Sequence, residues 1–404
     1  MLRVRVVSAT SFHDLKWVGA RLGLAPRHLV EVPASVVLLL TGIGASFLKA
    51  LTTSVDKVAG GAELACVPGT PESGSALLIG QVGQLKSLGR ALGADEMGQR
   101  FRTQLEQALG AASKAPLVGR MGHREFRLGE RTLIMGVVNV TPDSFSDGGR
   151  FESTGSAIAH ARTLIDAGAD VIDVGGESTR PGAPTVDEAT EMSRVLPVIE
   201  ALAQDARVPV SVDTQKPAVA RAALKSGASF VNDIGGLRDP EMVKVVAASE
   251  GAVGVMHMHG TPATMQLDPR YDDVVDEVLD GLAASVARAE AAGILKNRIW
   301  VDPGIGFGKT LEHNLFLLRR LEEFRVLGCP ILIGTSRKSF LGKLLEGKPA
   351  WERVFASVGS AAGLAAMGVA DMVRVHDVAE TRDALAVVDA VRTAEGGGSA
   401  YRRG

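Results

Sequence analysis

From residue 139 onward, short apolar runs in this chain repeatedly end on side chains that can carry charge or form hydrogen bonds. The first run ends at Asn139, and the second passes Asp173 into Glu177, Ser178, Thr179 and Arg180. The third ends at Asp213, the fourth at Asn232 and Asp233, and the fifth at His257 and His259. The sixth ends at Asp302, the seventh at Thr335, Ser336, Arg337 and Lys338, and the eighth at Arg374, His376 and Asp377. Asp213, Asn232, Asp302 and Lys338 offer planar acceptors and donors suited to the amide and amino edge of a heterocycle. Asn139, Thr179, Arg180, Arg374 and His376 suit a polyanion such as pyrophosphate. The opposite ends of the runs carry no comparable set. Polar groups buried without partners cost roughly several kcal/mol, so a ring of this kind has to converge on itself or on a ligand.

The elements that must position these residues follow from the pattern around them. Strands are expected at 132–139, 170–175, 208–213, 229–234, 252–258, 298–302, 330–335 and 371–376. Helical stretches follow, most clearly at 155–167, 187–203, 217–226, 272–292 and 352–367. Near-continuous apolar strands alternating with helices mean a parallel sheet covered on both faces. Eight such units match a closed (β/α)8 TIM barrel, whose active site is built at the C-terminal ends of the strands. No G-x-G-x-x-G follows the first strand, which weakens a dinucleotide-binding alternative. Polar loops at 141–151 and 175–186 are long enough to close over a site.

The preceding segment has a different texture. Apolar runs at 4–7, 36–40 and 76–79, with helical patterns at 44–55 and 82–92, predict a smaller N-terminal α/β domain over residues 1–118. Residues 111–122 read as a linker, and the barrel domain is expected over 119–396. The 404 residues are 46% hydrophobic and 22% charged with a net charge of −2, a globular balance without a basic field for nucleic acid. Two distant cysteines, Cys66 and Cys329, form no disulfide framework or zinc site, so a reducing cytoplasm is expected. No signal peptide is read at the N-terminus, and the longest apolar run falls far short of the ~20 residues that span a bilayer.

The segments NVTPDSFSDGG (139–149), DVGGESTRPGA (173–183), SVDT (211–214), NDI (232–234), MHMHGTP (256–262), DPGIGFGK (302–309), GTSRKSF (334–340) and RVHDV (374–378) resemble dihydropteroate synthases in order and spacing. The first, second and seventh segments are highly specific, and the resemblance covers about residues 130–394. It implies a Mg²⁺-dependent transferase of folate biosynthesis that joins 6-hydroxymethyl-7,8-dihydropterin pyrophosphate to p-aminobenzoate, and a target of sulfonamides. Asp213, Asn232, Asp302 and Lys338 would hold the pterin, with Met256, Phe307 and Gly334 lining its slot. Asn139, Thr179, Arg374 and His376 would bind pyrophosphate, and Asn139 would also reach Mg²⁺. Phe145, Ser178, Thr179, Arg180, Pro181, Lys338 and Ser339 would surround p-aminobenzoate, and Asp147, Thr179, Arg180 and Lys338 would act in catalysis. The resemblance further implies a homodimer through barrel helices. The N-terminal domain is the main departure from the family, and no role attaches to it.

Four other readings compete. A pterin-dependent methyltransferase on the same barrel would share the pterin-holding Asp and Asn but would not need Arg374, His376 and the 141–151 loop. A non-catalytic pterin-binding barrel would have no use for closing loops. His257 and His259, spaced i, i+2 on a strand, could with Asp302 suggest a zinc hydrolase, yet a third histidine on a neighbouring strand is missing. The stretch 303–310 nearly forms a phosphate-binding G-x-x-x-x-G-K-[ST] loop, but Pro303 replaces its first glycine.

Overall fold

Contacts divide the chain into two units, Met1–Ala115 with Arg320–Gly328, and Pro116–Arg319 with Cys329–Gly404. The computed structural model describes residues 3–6, 36–58, 63–70, 73–92, 95–112, 117–141, 150–178 and 185–394. In the first unit, β1 (Arg3–Val6), β2 (Val36–Ile43), β3 (Glu63–Thr70) and β4 (Ser73–Gly80) form an antiparallel sheet in the order β1-β2-β4-β3. Helices α1 (Ala45–Val58), α2 (Val82–Ala91) and α3 (Glu96–Ala112) accompany it. Strand alternation turns Leu38, Leu40, Ala76 and Leu78 to one side, where they share a core with Phe47, Leu51, Leu85, Leu88, Phe101 and Leu105. A 3₁₀ helix at Leu321–Leu327, far downstream in sequence, belongs to this unit and packs Val326 against the same core. Sequence reasoning placed one boundary at 118–119 and did not see this excursion.

The second unit opens with a β-hairpin. The stretch read as a linker contains β5 (Val118–Met121), which pairs antiparallel with β6 (Arg124–Arg127). Gly122 turns the hairpin at φ +57°, a conformation that favours glycine. Eight parallel strands follow: β7 (Leu133–Asn139), β8 (Val171–Gly175), β9 (Val210–Asp213), β10 (Phe230–Asp233), β11 (Ala252–Met256), β12 (Ile299–Asp302), β13 (Leu332–Ile333) and β14 (Met372–Val375). Their order, β12-β11-β10-β9-β8-β7-β14-β13, closes through a parallel bridge between Val301 and Ile331. The result is the TIM barrel that the alternation predicted.

Helices α4 (Arg150–Asp166), α5 (Glu188–Asp205), α6 (Pro217–Lys225), α7 (Pro240–Ala247), α8 (Val274–Ala291), α9 (Leu311–Arg319), α10 (Ser339–Leu344), α11 (Val354–Ala366) and α12 (Val378–Thr393) connect the strands and end the chain's described part. Their starts are written in the sequence. Asp187 accepts from the backbone of Thr190, and Asp273 from those of Val275 and Asp276. Pro217 and Pro240 occupy first helical positions, where the missing N–H is no loss. Strand β11 ends at Met256; His257 still donates its backbone N–H to the carbonyl of Asp302 at 3.0 Å, but His259 lies beyond the strand, so the two histidines are not spaced i, i+2 on it. None of the described helices is long and apolar enough to cross a membrane.

The two ends of the barrel differ chemically. Leu133, Val171, Phe230, Ala252, Trp300, Leu332 and Met372, each at or near its strand's start, form one apolar layer with Met121 and Leu128 from the hairpin segment. Gly119 is part of the fit, since a Cβ there would stand 2.4 Å from Cζ2 of the buried Trp300. This plug leaves the opposite end of the barrel for polar side chains. Gly119→Ala is expected to overpack the plug and destabilise the protein by about 1–3 kcal/mol in urea unfolding. Wild-type stability in this variant would show that the hairpin does not seal the barrel.

Candidate active site

The ladder arranges the polar strand ends in a row. Asn139 lies opposite Gly175, Gly175 opposite Asp213, and Asp213 opposite Asn232. Gly175 keeps that row open. A Cβ there would stand 3.6 Å from Cβ of Asp213 and 3.7 Å from Oδ1 of Asn139.

Arg374 ties the row together from β14. Its Nε donates to Oδ2 of Asp173 at 2.6 Å, and its Nη2 donates to Oδ2 of Asp213 at 2.7 Å. Asp173 is fully buried and also accepts from Ser211 Oγ at 2.5 Å and Asn232 Nδ2 at 3.1 Å. Sequence reasoning noted Asp173 in passing and gave it no role. A carboxylate inside an apolar strand needs partners when buried, and that was the available signal. Asp213 differs from Asp173 in that its Oδ1 is buried without a hydrogen-bond partner. An acceptor left unpaired in this way costs roughly 1–3 kcal/mol, a cost that an N–H donor would offset.

A second group gathers around Lys338, the residue that precedes α10. Its Nζ donates to the carbonyl of Ile305 at 2.5 Å and stands 5.0 Å from the centre of the Phe307 ring. Gly334 lies beneath, and a Cβ there would be 3.6 Å from that Nζ and 3.7 Å from Cβ of Arg374. The two groups therefore adjoin. Met256 is buried with Ile234, Met258 and Met265, and Phe307 packs on that cluster as an apolar wall. Asp302 accepts from the backbone N–H of Gly304 at 2.7 Å. His376 meets Ser336 through Nδ1 at 3.0 Å and donates its backbone N–H to the same hydroxyl at 3.2 Å.

Lys338 is aimed by its surroundings. Arg337 holds φ +57°, unusual for a residue with a Cβ, and is pinned by a two-pronged ion pair to Asp377 with contacts of 3.1 and 2.5 Å. Arg353 donates to the carbonyls of Arg337 and Lys338 at 3.0 and 3.2 Å. Glu177 fastens the base of the 175–186 loop, accepting from Val186 N at 2.9 Å and from Lys216 Nζ at 2.7 Å. Sequence reasoning assigned neither Glu177 nor Lys216 this part. Ser178 is half-buried beside Glu177, and Ser339 is exposed at the start of α10. Phe145, Asp147, Thr179, Arg180 and Pro181 lie outside the described residues.

Burial shifts the charges at this mouth. Desolvation pushes Asp213 up to about 7, with Arg374 opposing and Asp173 adding to the rise. Desolvation also raises Asp302, against Lys338 and the Gly304 N–H. Lys338 is brought down to about 8 by desolvation, with Asp302 opposing. Desolvation pulls Arg374 down too, but Asp173 and Asp213 outweigh it and raise its pKa. His257 is driven down to about 3, first by burial and then by Lys309, so its imidazole is neutral. Among the described residues, no group of three or more His, Cys, Asp or Glu side chains could hold a metal ion, which leaves the zinc-hydrolase alternative without a ligand set there.

The Asp213 shift has a consequence for stability. Its carboxyl titrates near 7 when folded and near 4 when unfolded, so the protonated form favours the fold. That contribution is complete below about pH 4 and is lost as pH rises through 7. Asp213→Asn is expected to flatten the fall of Tm between about pH 5 and pH 8, and to gain about 1–2 kcal/mol at the upper end. A variant whose Tm falls as steeply as that of the wild type would show that Arg374 neutralises this carboxylate in full.

Known proteins resemble this chain across the barrel. Residues 135–376 match the family described as pterin binding enzyme. The chain is 50% identical over 262 residues to dihydropteroate synthase of Escherichia coli K12, covering 65% of this chain and 92% of that protein. It superposes on Xanthomonas albilineans dihydropteroate synthase, solved with 4-aminobenzoic acid, with a TM-score of 0.65 and 44% identity, over 70% of this chain and all of that one. Burkholderia cenocepacia dihydropteroate synthase complexed with 7,8-dihydropteroate gives a TM-score of 0.62 and 44% identity, over 69% and 98% of the two chains. The chain belongs to the pterin-binding enzymes and, within them, to the dihydropteroate synthases, which are transferases.

Proposed function

We propose that this chain condenses 6-hydroxymethyl-7,8-dihydropterin pyrophosphate with p-aminobenzoate, giving 7,8-dihydropteroate and pyrophosphate for folate biosynthesis. The observation that carries this reading is the buried, unpartnered Oδ1 of Asp213, in a cluster of strand ends that also holds Arg374 and Lys338. The pterin's amino and ring N–H groups suit Asp213 and Asp302, and its carbonyl and ring nitrogens suit Lys338 and Asn232. Phe307 and Met256 supply a flat apolar wall for the ring. Two of the five N–H donors of Arg374 are committed to Asp173 and Asp213, which leaves three for a diphosphate. His376 lies two residues further along the same segment as a second partner for the anion.

In the proposed reaction the bond from the pterin methylene to the diphosphate oxygen breaks, and its electron pair leaves with pyrophosphate. The arylamine nitrogen of p-aminobenzoate then bonds to the methylene and releases a proton to solvent. No strong base is required, and none is assigned. Arg374 and Lys338 hold the substrate and offset its negative charge. Asn139 Oδ1, close to Asp213, is the type of oxygen that Mg²⁺ accepts alongside substrate phosphates and water, so the residues present fit this ion. Bound there with the diphosphate, Mg²⁺ would neutralise charge on the leaving oxygens. Phe145, Asp147, Ser178, Thr179, Arg180, Pro181 and Ser339 are proposed to complete the p-aminobenzoate side.

A homodimer is also proposed. Trp351, Phe355, Met367, Val387 and Val391 are exposed on and around α11 and α12, an apolar display that association would cover. Light scattering is expected to give twice the chain mass, and a monomer would overturn this part.

The activity is tested by mixing the full-length protein with both substrates and Mg²⁺ and following pyrophosphate release. Turnover is expected, with loss on chelation by EDTA. Lys338→Ala is expected to lower kcat/KM on the order of 100-fold while circular dichroism stays unchanged. No dihydropteroate from the wild-type protein would refute the reading.

A further inference from the structure

One buried cation near the mouth has no part in the chemistry above. Lys309 directly follows the segment Gly304–Gly308 after β12, whose three glycines sit at φ +70°, +83° and +63°. Backbone that alternates into the left-handed region cannot continue a helix or a ladder, so its carbonyls need other donors. Four consecutive carbonyls receive them from four side chains. Ile305 accepts from Lys338 Nζ at 2.5 Å, Gly306 from Gln266 Nε2 at 2.7 Å, Phe307 from Lys309 Nζ at 2.9 Å and Gly308 from Tyr271 Oη at 2.9 Å.

Lys309 does more than satisfy one carbonyl. Its ammonium also contacts the carbonyl and Nδ1 of His257, both at 3.3 Å. Burial brings the Lys309 amine down to about 7 against the pull of Asp302, and in its protonated form three donors meet three acceptors, which accounts for the near-match to a phosphate-binding loop. Burial keeps His257 neutral, so its Nδ1 can accept while the proton sits on Nε2. The loop is pressed onto the end of β11. A Cβ at Gly304 would stand 2.0 Å from the His257 carbonyl, and one at Gly308 would stand 3.1 Å from that of His259. The residue before His257 is Met256, and the residue whose carbonyl Lys309 holds is Phe307.

We propose that Lys309, supported by Tyr271, is a positioning residue that latches the segment after β12 to the end of β11 and so fixes the Phe307 wall of the pterin slot relative to Met256 and Lys338. This rests on the pterin reading of the site. It adds that recognition of the ring depends on two side chains that never touch it.

The test uses Lys309→Met, Lys309→Arg and Tyr271→Phe in the full-length protein. Lys309→Met is expected to raise KM for the pterin substrate on the order of tenfold to 100-fold, with KM for p-aminobenzoate at saturating pterin unchanged. Lys309→Arg, which keeps donors at that place, is expected to recover part of the loss. Tyr271→Phe is expected to shift pterin KM in the same direction by less. A purely structural lysine would lower Tm and leave pterin KM at the wild-type value, or raise both KM values together, and either result would overturn the latch. If Lys309→Met does not fold, Tyr271→Phe decides, and an unchanged pterin KM in it refutes the proposal. Wild-type protein without turnover would refute the proposed reaction instead. Calorimetry with 6-hydroxymethylpterin would then still test the latch, with weaker binding expected in Lys309→Met and equal binding contradicting it.

Discussion

The polar end of this barrel depends on one half-buried cation held by two carboxylates. Arg374 reaches Asp173 and Asp213 at 2.6 and 2.7 Å, and each of those would be costly to bury alone. The pairing orders strands β8, β9 and β14 around a single guanidinium. It also leaves an imbalance, because Asp173 has partners for both oxygens while Asp213 keeps one oxygen open. Removing Arg374 would therefore strand two carboxylates in the site as well as delete a proposed diphosphate contact.

The rest of the barrel can be understood as support for that asymmetry. Trp300, Phe230 and the hairpin before β7 close one end with apolar volume. Polar side chains are then tolerated only at the other end, where strands stop and backbone is free of the ladder. Glycines at 175 and 334 keep the mouth open by lacking a side chain. The strained Arg337 and the glycines at 304, 306 and 308 place Lys338 and Phe307 at angles that regular structure would not give. Such local strain is tolerated where ion pairs and side-chain donors over-determine it, as the Arg337–Asp377 pair and the row of captured carbonyls do here.

Much of this was legible in the sequence because strand and site share one signal. A run of Val and Ile that stops at an Asp or Asn names both a buried strand and the end where it becomes polar. Asn139, Asp213, Asn232 and Asp302 were visible for that reason. Asp173 lies inside its run, and its role appears only when Arg374, 201 residues away in sequence, folds beside it. Glu177 and Lys216 form a contact across 39 residues that no local pattern marks. Strand β5, Val118–Met121, falls within the 111–122 stretch that reads as a linker because it is only four residues long and carries a glycine and an arginine. Strand β3 was missed because Pro68 and Gly69 interrupt it, and both residues weaken strand signals. The 3₁₀ piece at Leu321–Leu327 belongs to the first unit through tertiary packing alone.

The central claim is that this mouth grips a flat ring through Asp213, Asn232, Asp302 and Lys338, and a diphosphate through Arg374 and His376. A crystal structure of the full-length protein soaked with dihydropterin pyrophosphate and Mg²⁺ tests it most directly. The expected result is a ring N–H within hydrogen-bond distance of Asp213 Oδ1, with the diphosphate on the free N–H groups of Arg374. A ligand bound elsewhere, with Asp213 Oδ1 still lacking a partner, would contradict the account.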